Sequence, residues 1–144
     1  MPKQDHYRTF IGRLEVSLAD GHYLESAWYA YAVLEDRLRS LLRSSGTEFH
    51  SRTNRQITMM GPKLRELKER RARVPLLAAE FSDALHDALD VWKEDRNNLT
   101  HAMADATMTV ADIDASAKKL AVDGARLVRD YCALCRRMKK QAIK

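Results

Sequence analysis

The sequence contains few of the residues that interrupt helices. Only 5 Gly and 3 Pro occur among its 144 residues. Because Gly and Pro form turns and end helices, their scarcity favours long helices over a β fold with many turns. The length suits one hydrophobic core, so we expect residues 1–144 to form a single domain.

Long apolar segments are also missing. No run approaches the roughly 18–20 apolar residues that a membrane-spanning helix needs. The first ten residues, MPKQDHYRTF, contain no apolar stretch of the signal-peptide type. We therefore expect a cytoplasmic protein that has no membrane partner.

Cysteine is scarce, and the positions of the two cysteines argue against a redox role or a zinc site. Cys132 and Cys135 form CALC late in a helical pattern. A reactive thiolate is stabilised at a helix start, and one CxxC supplies only half of a zinc site. We interpret the two thiols as small apolar side chains.

Motifs for metals and nucleophiles are equally sparse. One helix face carries acids and a histidine at spacings of three and four: Asp83, His86, Asp87, Asp90 and Glu94. A di-iron bundle needs a second carboxylate-xx-His pair on another helix, and the sequence has none. It also lacks HExxH, GxSxG and a glycine-rich phosphate loop. We therefore expect neither a metal nor a cofactor.

The net charge is +5, with an isoelectric point near 9.4, which favours an anionic partner. Residues 63–73, KLRELKERRAR, hold six basic and two acidic residues. The segment could contact phosphates, but a solvated helix face is the favoured interpretation.

Apolar residues recur at spacings of three and four in several segments, which predicts an all-α fold. One segment, from Pro75 to Trp92, carries Leu77, Phe81, Leu85, Ala88 and Trp92 on one face. Thr53 and Gln56 have capping-box spacing, which predicts a short helix there. Thr109 and Asp112 predict the cap of the last helix. We expect an antiparallel up-and-down bundle of four to five helices.

The stretch EDRNNLTHAM, residues 94–103, follows the predicted helix that ends in Trp92. Asparagine is a weak helix former, so two in a row beside Arg96 indicate either an ordinary polar helix end or polar groups with a functional role. The pattern Arg96-Asn97-Asn98-Leu99-Thr100-His101 resembles the signature of the HEPN family of small all-helical domains, many of them metal-independent ribonucleases and toxins.

A second Arg-to-His match runs from Arg43 to His50, but Ser-Ser-Gly follows that arginine at a helix end. Arg96 instead precedes the last long helix, as in the family pattern. The resemblance covers most of the chain, and Glu35 fills the place of an acidic residue in the family's early long helix. A carboxylate at the edge of an apolar seam needs a cation, either Arg96 or, along its own helix, Arg39.

The resemblance implies cleavage of RNA through attack of the ribose 2′-hydroxyl, giving a 2′,3′-cyclic phosphate. His101 would move a proton and Arg96 would stabilise the phosphoryl charge, while Asn97 would orient the histidine or bind a phosphate oxygen. On one helix, positions 96 and 101 lie about 140° apart. In the family, dimerisation brings two copies of the motif to one cleft, so a homodimer is expected.

Other functions stay open. Some family toxins carry Tyr two residues beyond the His, where an antitoxin modifies it, but this position is Met103 here. A toxin or defence role would then depend on an antitoxin that acts elsewhere. The alternative is a non-catalytic helical module that binds protein or RNA, such as a regulator or antitoxin.

Overall fold

The computed structural model describes residues 3–50 and 52–142, and this part of the chain is all-α. Its six helices are α1 (Lys3–Ala19), α2 (Tyr23–Ser44), α3 (Met60–Arg71), α4 (Pro75–Glu80), α5 (Asp83–Asp105) and α6 (Val110–Ala142). The sequence predicted four to five helices. The additional element arises because the segment from Pro75 to Trp92 is divided in two.

Helices α1 and α2 form an antiparallel pair joined by a tight turn at Gly21, whose φ of 77° suits glycine. The stacked rings of Phe10 and Tyr29 lie between them. Ser17 and Ser26, both buried, share a hydrogen bond of 2.9 Å between their Oγ atoms across the pair. Each hydroxyl thus has a partner in an otherwise apolar seam.

Helix α6 is the centre of the fold and packs on both α2 and α5. Gly124 lies against Ala30, and the Cys135 thiol lies 3.4 Å from the Arg37 carbonyl, so α2 and α6 run in the same direction. Trp92 Nε1 donates to the Leu120 carbonyl and Tyr131 Oη donates to the Leu85 carbonyl, so α5 runs opposite to α6. Residues of α6 at spacings of three and four, from Ile113 to Met138, form a face that is buried or half-buried.

The predicted helix from Pro75 to Trp92 is wrong in one respect: it breaks at Phe81. Phe81 has an extended backbone and is fully buried, with its ring edge-on to Tyr131. Ser82 then caps α5 by accepting a hydrogen bond from Leu85 N. Burial of the Phe81 ring thus accompanies the change in chain direction between α4 and α5.

The expected end of this helix at Trp92 is also wrong, because α5 continues to Asp105. Two asparagines cost a helix under about 1 kcal/mol each. Leu99 is 6% exposed, and such burial is worth roughly 1.5–3 kcal/mol, enough to offset that cost. The helix ends where Ala106 adopts a left-handed conformation.

The connection between α2 and α3 is a short hairpin, and the helix predicted from Thr53 and Gln56 is absent. Phe49 and Gln56 form an isolated antiparallel bridge, and His50 N donates to the Arg55 carbonyl over 2.7 Å. Hydrogen bonds between the two arms of the hairpin therefore form at these residues in place of a capping box.

Candidate active site

The residues of the predicted motif lie in the C-terminal half of α5, on one uninterrupted helix. Arg96 and Asn97 are half-buried, whereas His101 is exposed. Five helical steps separate Arg96 from His101 by about 140° around the axis. The two side chains therefore face different directions within one copy of the chain.

The Arg96 guanidinium packs over the ring of Tyr31, a residue of α2, with 4.1 Å from Cζ to the ring centroid. Its Nη2 donates to Asn97 Oδ1 over 3.0 Å, so Asn97 binds the arginine rather than the histidine. The Nε atom is buried and has no hydrogen-bond partner. Within the described residues no carboxylate pairs with Arg96, so the guanidinium keeps donors for an anion.

Arg96 lies at the wall of an open, mostly apolar pocket of about 310 Å³ between α2 and α5. Its rim carries three exposed apolar side chains, which we call the apolar patch: Leu24 at 46%, Trp28 at 76% and Met103 at 42% exposure. Large apolar groups that stay in water side by side often mark an interaction surface. The patch borders Arg96 and Thr100. One of its members, Met103, is two residues after His101 in the sequence.

Glu35 pairs with a cation that the sequence analysis did not name. Lys63, on α3 and only 1% exposed, donates from Nζ to Glu35 Oε2 over 2.6 Å. The expected partners Arg96 and Arg39 do not form this pair. Glu35 Oε1 is buried without a hydrogen-bond partner, so the carboxylate is only half satisfied.

Tyr31 connects Glu35 with Arg96 and was missed by the sequence analysis. Burial raises the pKa of Tyr31, the Glu35 carboxylate raises it further, and the Arg96 guanidinium lowers it. The phenol is therefore neutral at physiological pH and offers its ring face to the arginine. An available clue was the spacing of Leu24, Trp28 and Tyr31, which places these side chains on neighbouring positions of α2.

The second Arg-to-His match has a different environment. Arg43 Nε donates to Glu48 over 2.7 Å, whereas His50 faces the carboxylate of Glu66 on α3. The two residues of this match therefore have separate partners, whereas the match in α5 borders the pocket described above.

The basic segment 63–73 is only partly the solvated face that the sequence favoured. Lys63 and Arg70 are 1% and 3% exposed, and their charges are matched by Glu35 and Glu66. Arg65, Lys68 and Arg73 are exposed.

The acidic side chains along α5 do not cluster at a point where they could hold a metal ion. His86 is buried, and its Nε2 lies 3.2 Å from the Leu64 carbonyl, which makes this nitrogen the donor. Among residues 3–50 and 52–142 there is no group of three or more His, Cys, Asp or Glu side chains arranged to hold a metal ion.

No helix in the described part of the chain is both long enough and apolar enough to cross a bilayer. The sequence matches no family model, and no curated protein and no solved structure is significantly similar to it.

Proposed function

We propose that the protein is a metal-independent endoribonuclease of the HEPN type that acts as a homodimer. The observation that carries the proposal is the position of Arg96 and its unpaired charge. Its guanidinium is fixed on the Tyr31 ring beside an open pocket, and no carboxylate among residues 3–50 and 52–142 pairs with it. A fixed, unneutralised guanidinium is suited to the charge that builds up on a phosphoryl group.

The chemistry requires a proton acceptor for the ribose 2′-hydroxyl and a donor for the leaving 5′-oxygen. In the proposed reaction, an imidazole of His101 takes the 2′ proton while O2′ attacks phosphorus. The 5′-oxygen leaves with a proton from the second imidazole, giving a 2′,3′-cyclic phosphate and a 5′-hydroxyl. Arg96 stabilises the phosphoryl oxygens, and Asn97 holds the guanidinium in place.

The homodimer provides the two imidazoles and brings them to the arginines. Within one copy, His101 lies on the solvent side of α5 while Arg96 faces the pocket. Association through the apolar patch would bury Trp28 and join two copies of the motif in one cleft. Glu35 has a supporting role, because with Lys63 it fixes the part of α2 that carries Tyr31.

The test is cleavage of RNA in the presence of EDTA by purified protein. We expect 2′,3′-cyclic phosphate ends, and a rate loss of about 10²–10⁴-fold in both Arg96→Ala and His101→Ala. His22→Ala, an exposed histidine at the start of α2, is the matched control and should cleave at the wild-type rate.

Cleavage that persists in both variants, or that needs a divalent metal, would contradict the proposal. A toxin or defence role predicts growth arrest on expression that the same two substitutions relieve.

A second candidate, a non-catalytic helical module that binds a protein, is favoured by the apolar patch alone. It predicts that wild-type protein leaves RNA intact and that substitution of Trp28, but not of His101, abolishes complex formation with its partner.

A further inference from the structure

A second guanidinium and imidazole lie together on the described surface, away from the motif in α5. His50, in the hairpin, and Arg73, just after α3, both lie against the carboxylate of Glu66. His50 Nδ1 is 3.8 Å from Glu66 Oε2, and Arg73 Nη2 is 3.5 Å from Glu66 Oε1. Here both side chains approach one point within a single copy of the chain.

Glu66 and Arg70 form the buried base of this arrangement. The Glu66 side chain is fully buried, and Arg70 Nε donates to its Oε1 over 3.0 Å. Arg70 also donates to the carbonyls of Leu42, Thr47 and Phe49, which fixes the hairpin to α2 and α3. The hairpin is therefore already held by Arg70, and His50 and Arg73 are not needed for that role.

The contacts that His50 and Arg73 make are incomplete. His50 Nδ1 and Glu66 Oε2 are both buried and lack a hydrogen-bond partner, since 3.8 Å is beyond hydrogen-bond distance. Yet 35% of the His50 side chain and 54% of the Arg73 side chain are exposed. A small shift of the imidazole would let Nδ1 donate to the carboxylate and leave its exposed edge for a ligand.

The local charge favours an anion. Two guanidiniums, Arg70 and Arg73, surround the single carboxylate of Glu66. The nearby acid Glu48 already pairs with Arg43. Arg55 lies opposite His50 in the hairpin and is exposed, which adds a further cation.

We propose that His50 and Arg73, supported by buried Glu66 and Arg70, form a phosphate-binding site. A planar guanidinium beside an imidazole offers several donors to a tetrahedral oxyanion. The phosphate comes either from an RNA backbone or from a free phosphate group. The site does not depend on the proposed ribonuclease activity, since it uses none of the residues of the α5 motif.

The first experiment measures binding of a short 2′-O-methyl oligoribonucleotide by fluorescence anisotropy. This ligand has backbone phosphates but no 2′-hydroxyl, so it cannot be cleaved by 2′ attack whether or not the protein is a nuclease. We expect His50→Gln and Arg73→Gln each to weaken binding about tenfold or more, because each removes a charge-assisted hydrogen bond. Arg73→Gln should also reduce the salt dependence by about 0.7 in the slope of log K against log salt.

The matched control is Arg126→Gln, which removes the same charge from an exposed position of α6. Its affinity should stay within about twofold of the wild type, since it takes away no contact to the ligand. Equal losses in Arg126→Gln and Arg73→Gln would overturn the site, because they would indicate attraction by net charge alone. Gln at position 50 can still donate to Glu66, and circular dichroism verifies that each variant is folded.

The second experiment uses unmodified protein and therefore does not depend on the folding of variants. Imidazole ¹H–¹⁵N resonances of His50 are followed during titration with the oligoribonucleotide and, separately, with inorganic phosphate. A response to the oligonucleotide alone identifies the ligand as a nucleic-acid backbone, and a response to phosphate identifies a general phosphate site. Resonances of His50 that move with neither ligand would overturn the proposal.

Discussion

At the scale of single residues, burial determines the chemistry of the two cysteines. Cys132 and Cys135 are free and buried, in agreement with their interpretation as small apolar side chains. Burial raises the pKa of Cys132, and it raises the pKa of Cys135 to about 11. The neighbouring Arg37 lowers both values without cancelling the effect of burial. At neutral pH the thiols are therefore protonated and unreactive.

We predict that iodoacetamide at pH 8 alkylates the native thiols at least about 100-fold more slowly than a thiol introduced by Ala104→Cys, which is exposed. Mass spectrometry of the labelled protein measures the rates. Denaturant should remove the difference. Rapid labelling of Cys135 in the native protein would contradict its burial.

The raised pKa of Cys135 also links stability to pH. The thiol ionises near pH 9 when unfolded and near 11 when folded, so its contribution is fully present below pH 9. We expect that contribution to be lost as the pH rises from 9 to 11. Urea titrations of wild type and Cys135→Ala across this range should show a smaller decline in the variant.

Single residues also show what sequence reasoning could reach. The cap of α6 was predicted correctly, since Thr109 Oγ1 accepts from Asp112 N, a contact between residues three apart. The partner of Glu35 was not predicted, because Lys63 comes from α3 and the two residues are 28 positions apart. Local spacing defines a cap, whereas a buried ion pair depends on where an entire helix docks.

At the scale of helices, the close approach of α6 to its neighbours depends on Gly124. A Cβ at this position would lie 3.0 Å from Ala30 Cβ and 3.0 Å from a ring carbon of Trp92. Both neighbours are buried, so neither has room to move aside. The glycine is therefore a packing requirement inside a long helix.

We predict that Gly124→Ala lowers the free energy of unfolding by about 1–2 kcal/mol, the cost of overpacking less the gain in helix propensity. Gly12→Ala is the control, because a Cβ there meets nothing within 4 Å, and it should raise stability by up to about 1 kcal/mol. Urea denaturation measures both. A stabilised Gly124→Ala variant would show that the helices can separate at no cost.

Helix boundaries were predicted least well where tertiary contacts decide them. The apolar pattern from Leu77 to Trp92 fits one helix, and nothing local indicates the break at Phe81. Burial of its ring beside Tyr131 accompanies the extended backbone there. In the same way, Thr53 and Gln56 satisfy the spacing of a capping box but take part in the hairpin.

At the scale of the whole molecule, the all-α class was predicted correctly from the scarcity of Gly and Pro. The neighbours of each helix were harder to predict. The sequence predicted an antiparallel bundle, and α1 does run antiparallel to α2, yet α2 also packs along α6 in the parallel sense. A pattern of three and four defines a buried face but carries no information about the direction of the helix that covers it.

The motif around Arg96 was located from sequence, but its surroundings were not. Tyr31 and Trp28, which form the α2 side of the pocket, are more than sixty positions away, and no local rule connects them with α5. The resemblance supplied Arg96, Asn97, His101 and Glu35 as candidates, and their catalytic roles remain predictions.

The proposed homodimer leads to a prediction about the assembled molecule. We expect the wild type to sediment as a dimer and Trp28→Asp to shift to a monomer, with a dissociation constant raised at least about 30-fold, because a charge replaces a central aromatic contact. Trp28 is 76% exposed, so the substitution should leave the folded chain intact. Analytical ultracentrifugation measures the change.

Val110→Asp is the matched control, since Val110 is 74% exposed at the start of α6 and outside the apolar patch. It should remain dimeric. A wild type that stays monomeric at every concentration tested would remove the physical basis for a shared catalytic cleft.

The paired hydroxyls of Ser17 and Ser26 have a consequence for how the first two helices align. Apolar contacts are less directional than a hydrogen bond, so they define the position of α1 along α2 less sharply. A displacement of α1 along α2 would break the bond between the two hydroxyls, worth about 0.5–1.5 kcal/mol, and leave each with only a backbone carbonyl of its own segment, Leu14 for Ser17 and His22 for Ser26. Two of the smallest polar side chains in the protein therefore favour one sliding position of the helical hairpin that carries Tyr31.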